Sequence, residues 1–95
     1  MTNSSSQPTL DFYRRDGCEP CDEARLALQA VMEDRAKRGE PNPRVRYIDV
    51  SADSHLESRF GSRVPVLMLG TDELALTVSG RAIAQFLDRN LGRAA

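Results

Sequence analysis

Residues 12 to 24, FYRRDGCEPCDEA, hold both cysteines of the chain, three positions apart, where a strand-like run gives way to a helix-like one. A helix N-terminus carries unsatisfied N–H groups and a partial positive charge, so a cysteine placed there is stabilised as the thiolate. Cys18 occupies that place. Cys21 falls on the same helical face one turn further in, where it is expected to be more buried and able to attack a mixed disulfide formed at Cys18. Arg14 and Arg15 add positive charge near Cys18, whereas Asp16, Glu19, Asp22 and Glu23 oppose it. The expected Cys18 pKa therefore lies below the free value of about 8.5 without being extreme. Other readings stay open. A structural zinc site wants about four ligands, and the one histidine, His55, leaves an intrachain site in need of a carboxylate, or of a second chain bridging zinc or an iron–sulfur cluster. Two inert buried thiols are also an ordinary outcome. A C-x-x-C at a strand-to-helix junction inside an α/β pattern favours the redox pair.

The rest of the chain supplies that pattern. Ninety-five residues with 40% hydrophobic content suit one domain able to bury a single core. Residues 1–8 are polar and Ser-rich and read as a disordered leader before a domain spanning 9–95. TLDFYR reads as a first strand, with Phe12 and Tyr13 on opposite faces. A long helix follows, with Pro20 in its first turn and Ala24, Leu28 and Val31 on a stripe flanked by Ala27 and Met32; Leu26 falls on the opposite face. VRYIDV (45–50) reads as a second strand. SADSHLESRFG offers a short helix, with Asp53 or Ser54 as N-cap, Glu57 as capping-box partner to Ser54, and Gly61 as stop. VPVLML (64–69) reads as a central strand with Pro65 at its start, GTDE as a turn, and LALTV (74–78) as a fourth strand in a hairpin. The last helix carries Ile83, Phe86, Leu87 and Leu91 on one stripe. The expected fold is a mixed four-stranded sheet with three helices in the order β-α-β-α-β-β-α. Both crossovers are expected to give parallel pairing, and the hairpin an antiparallel edge.

The balance of 13 basic and 14 acidic residues, interspersed along the chain, argues against nucleic acid as a main partner. No stretch approaches a membrane span, and the N-terminus lacks the form of a secretory signal. A cytoplasmic protein is expected, and in a reducing compartment an isolated pair of cysteines is catalytic, redox-sensing or metal-binding more often than a permanent bridge.

Beyond the residues themselves, FYRRDGCEPCDEA together with RFGSRVPVLML resembles the thioredoxin superfamily, and within it the short bacterial glutaredoxin-like proteins, over about residues 9 to 91. The resemblance implies a thioredoxin-like fold and a thiol–disulfide oxidoreductase in which Cys18 attacks and Cys21 resolves. It implies a cis proline at Pro65 opposite the pair, a Val64 backbone that pairs with the bound thiol substrate, and an Arg15 that faces glutathione. No bound cofactor is implied. The substrate would be a protein or low-molecular-weight disulfide, and the protein a monomer. Glutaredoxins usually follow the Val-Pro strand with Gly-Gly and an acidic helix start, whereas here TVSGRA has Gly80 alone and then Arg81. Glutathione, another low-molecular-weight thiol and a reductase all remain candidate electron donors. The rival reading is a non-catalytic module that binds metal or a partner protein through the same cysteines.

Overall fold

The alternation of β1 sorts its side chains onto two faces, and the rest of the molecule is built on those faces. The computed structural model describes residues 7–93. In chain order the elements are β1 (Thr9–Arg14), α1 (Glu19–Lys37), β2 (Arg44–Asp49), a 3-10 turn at Val50–Ala52, α2 (Ser54–Phe60), β3 (Val66–Leu69), β4 (Asp72–Ala75) and α3 (Gly80–Leu91). On one face Leu10 and Phe12 of β1 and Leu67 and Leu69 of β3 meet Ala24 and Leu28 of α1 and Ile83, Phe86 and Leu87 of α3. Val31, Met32 and Leu91 pack partly buried against this cluster, which is the stripe geometry expected of both helices. Tyr13 points the other way, into a smaller cluster with Val50, Phe60 and Val66. There its ring stacks on Phe60 with centroids 4.1 Å apart. Leu26 is exposed on the outer face of α1.

The sheet order is β2-β1-β3-β4. β1 and β2 are parallel, Leu10 opposite Val45 and Tyr13 opposite Ile48, as the α1 crossover requires. The second crossover departs from expectation: β3 lies antiparallel to β1, with Tyr13 opposite Val66 and Leu10 opposite Leu69. The connection is fastened at the end of the sheet where β2 finished: Phe60 of α2 stacks on Tyr13, and the Arg15 guanidinium donates to Glu57 and to the Gly61 carbonyl, so β3 starts from that end.

Three boundaries also shift. β2 begins at Arg44 and ends before Val50, which turns fully buried into the 3-10 segment. β4 occupies Asp72–Ala75 rather than 74–78, because the connection is a two-residue turn, Gly70-Thr71, with Gly70 at φ 61. Asp72 and Glu73 thus enter the strand, where Arg89 and Asn90 hold the first and Arg63 the second. Residues 1–6 of the expected leader lie outside the described residues. Gln7 and Pro8 are tied to the sheet end: Gln7 Nε2 donates to the Asn42 carbonyl at 2.9 Å, and the Pro8 carbonyl accepts from the Arg44 amide at 2.8 Å.

Candidate functional site

The turn between β1 and α1 sets the cysteines. Gly17 adopts φ 74, a left-handed conformation that side-chain-bearing residues rarely take, and this reverses the chain into the helix. Cys18 is the N-cap of α1, with extended backbone, and its Sγ accepts from the Cys21 amide at 3.1 Å. A sulfur thus fills the place usually taken by a Ser or Asp oxygen. Pro20 stands in the first turn, where its missing N–H leaves no gap in the helical ladder. The two cysteines are joined as a disulfide with Cα atoms 5.2 Å apart. Cys18 is half-buried while Cys21 is 1% exposed, so an incoming group reaches Cys18 first.

Pro65 is brought to the same end. One step beyond the Tyr13–Val66 pair, the register sets it beside Arg14, where β1 leads into the cysteine turn. The Val64–Pro65 peptide bond is cis, Pro65 is buried, and Val64 is half-buried. The Pro65 carbonyl accepts from the Leu76 amide at 2.8 Å, which fastens the end of β4 to this rim. Leu76 itself sits at φ 60 and is 66% exposed. Ser79 caps α3, its hydroxyl accepting from the Ala82 amide at 3.2 Å, with Gly80 and the exposed Arg81 following.

Arg15 does not point freely into solution. Its guanidinium grips the Glu57 carboxylate with two hydrogen bonds, 2.9 and 2.7 Å, and donates a third, 2.8 Å, to the Gly61 carbonyl. It therefore braces the cysteine turn against the C-terminal end of α2. Glu57 is free for this because the N-cap of α2 is Asp53, not Ser54. The Asp53 carboxylate accepts from the His55 and Leu56 amides, so Glu57 stands one residue past the capping-box position. The sequence marks neither Glu57 nor the Gly61 carbonyl as part of the site; its only signal there is a carboxylate in the first turn of a short helix. Arg14 pairs with Asp16 at 2.9 Å. Asp49, at the end of β2, is held below the usual carboxylate range by hydrogen bonds from Ser51, with help from Arg14 and Arg15. Burial raises the Tyr13 phenol above its ordinary value. His55 is exposed on α2, and among the described residues no group of three or more His, Cys, Asp or Glu side chains gathers as a metal site. Also among the described residues, no helix is long and apolar enough to cross a membrane.

A disulfide at a helix N-terminus, in a mixed four-stranded sheet of this order with three helices, is a thioredoxin-like arrangement and points to redox function. The comparisons with known proteins agree. The chain belongs to the family described as "Glutaredoxin-like domain (DUF836)", whose model matches residues 9–91. A structural-genomics target protein from X. campestris is similar at a TM-score of 0.70 and 30% identity, over 84% of this chain and 96% of that one. A mutant thioredoxin from Halobacterium salinarum NRC-1 is similar at a TM-score of 0.62 and 26% identity, over 97% of this chain and 81% of that one. A malarial protein shares the fold at a TM-score of 0.59 and 14% identity, over 90% of this chain and 99% of that one. No curated protein matches the chain significantly.

Proposed function

We propose that the protein is a thiol–disulfide oxidoreductase acting through Cys18 and Cys21. The observation that carries this reading is the asymmetry of the pair: one accessible sulfur sits on the helix N-terminus, and one fully buried sulfur lies a turn inside. In the reduced protein the Cys21 amide and the positive helix end favour Cys18 as thiolate, the attacking form. Attack on a disulfide forms a mixed disulfide at Cys18. Cys21, shielded from other partners, then attacks Cys18 Sγ and releases the substrate thiol. Val64 offers its backbone to an extended substrate segment at the same rim, next to Pro65. Arg15 serves substrate binding only in competition with Glu57.

The substrate class is a protein or low-molecular-weight disulfide. The electron donor is glutathione, another low-molecular-weight thiol or a reductase, and the setting is a reducing compartment such as the bacterial cytoplasm, with the protein acting as a monomer. The test is the redox equilibrium of the pair, read by alkylation and mass in graded thiol–disulfide buffers. A reversible two-electron transition between about −300 and −150 mV is expected. Failure to form an intramolecular disulfide anywhere in that range would remove the dithiol mechanism, and metal analysis of freshly purified protein would then test the rival binding module.

A further inference from the structure

The charges around Cys18 are distributed unequally between paired and free groups. Both cations of the turn that leads to Cys18 are held internally, Arg14 by Asp16 and Arg15 by Glu57, and Asp49 bears on both; Arg81 stands exposed at the start of α3. Glu19, Asp22 and Glu23 stand exposed on the first turns of α1. Carboxylates outnumber cations along the cysteine turn and the start of α1, and the guanidinium best shaped to grip an incoming carboxylate with two hydrogen bonds is already gripping one of the protein's own. The Arg15–Glu57 pair is partly exposed, with side chains 34% and 44% accessible, so an anionic ligand meets it directly. It ends within three residues of the exchanging sulfur.

We infer that Glu57 is a specificity-determining residue of the disulfide site: by occupying Arg15 it withholds that guanidinium from anionic sulfur compounds and directs exchange toward neutral or cationic ones. This rests on the exchange reading above. In the reaction, the Cys18 thiolate attacks one sulfur of R–S–S–R, that S–S bond breaks, and one thiolate leaves to take a proton from solvent. The Cys21 thiol loses its proton, attacks Cys18 Sγ and expels the second thiolate. The dithiol is oxidised by two electrons and one disulfide becomes two thiols.

The experiment compares reduced wild type, Glu57→Gln and Arg15→Gln against three symmetrical disulfides: cystamine (cationic), hydroxyethyl disulfide (neutral) and dithiodipropionate (anionic). Second-order rate constants are measured at low salt and at high salt. Intrinsic reactivity differs among the compounds, so each is compared with itself across proteins. Glu57→Gln should raise the rate with dithiodipropionate, relative to that with the neutral compound, by about two- to three-fold, as expected for one unit charge roughly 8 Å away in water. Arg15→Gln should lower the same ratio. Both shifts should shrink toward nothing near 1 M salt, where screening acts over about 3 Å. A uniform change across the three compounds would assign Glu57 a merely structural role and overturn the inference, as would an unchanged or oppositely shifted ratio. If wild type exchanges with none of the three, the exchange reading itself falls, a result distinct from exchange without charge selectivity.

Discussion

Cys18 has two jobs that substitution can separate, because the sulfur proposed to attack is also the N-cap of α1. Its Sγ accepts from the Cys21 amide at 3.1 Å, and Cys21 is 1% exposed. Replacement by Ser keeps an acceptor of the kind that helix starts prefer, whereas Ala removes it. Losing an N-cap costs about 1 kcal/mol, and leaving a buried amide unsatisfied raises that to about 1–2 kcal/mol. In a domain of this size each kcal/mol moves the midpoint by about 4–8 °C. Under reducing conditions Cys18→Ala should therefore melt about 4–16 °C below Cys18→Ser, while Cys18→Ser stays within a few degrees of reduced wild type. Both should lose disulfide exchange completely. Thermal unfolding by circular dichroism and a disulfide-reduction assay on the same preparations read the two effects. Equal midpoints for Ser and Ala would refute the capping role, and exchange surviving in Cys18→Ser would refute the attacking role.

Two further predictions address the opposite end of the molecule. Arg35 is fully buried and donates to the Asp88 carboxylate at 2.6 Å, to the Pro41 carbonyl and to the Gly92 carbonyl. Arg35→Ala leaves these acceptors without their cation and should destabilise by about 3–5 kcal/mol in urea unfolding. Its distance from Cys18 along α1, roughly 25 Å, should leave exchange by the folded fraction unchanged. Asp72 is held below the usual carboxylate range by hydrogen bonds from Arg89 and Asn90. Because its folded pKa is depressed, its contribution to stability is complete above the unfolded value of about 3.9 and fades as pH falls through the folded value. Titration followed by NMR should show the low pKa, and Asp72→Asn should flatten stability against pH in that acid window; an ordinary titration would remove the linkage.

The elements were legible wherever a single local signal decided them. Helical stripes in α1 and α3 and the division of Phe12 and Tyr13 between two faces follow from periodicity, and the placement of Cys18 at a helix start follows from the strand-to-helix junction with Pro20 in the first turn. Arg35 was open to a closer reading: it extends the Ala24, Leu28, Val31 stripe by one more turn, so its position marked it as inward-facing while its charge argued for solvent. What resolves the conflict is tertiary, a carboxylate from α3 and two carbonyls that no local window contains. The fourth strand slipped for the same reason, since Asp72 and Glu73 look like turn residues until Arg89, Asn90 and Arg63 are seen to hold them. Arg15 and Glu57, forty-two positions apart, likewise meet only once the fold has formed.

The direction of β3 bears on the site itself. A connection that carried the chain back down the sheet would have made β3 parallel, with Pro65 at the end away from the cysteines. Instead α2 is held at the end where β2 finishes. Having left β2 at the end where β1 feeds the cysteine turn, the chain spends its seven helical residues on the same end. It anchors Phe60 under Tyr13, offers Glu57 to Arg15, and enters β3 through Val64 and Pro65 at that rim. The antiparallel pairing that the crossover rule did not foresee is thus what gathers Cys18, Arg15, Val64 and Pro65 at one end of the sheet. It follows that lengthening α2 would disturb the site before it disturbed the larger core, which α1 and α3 build on the other face.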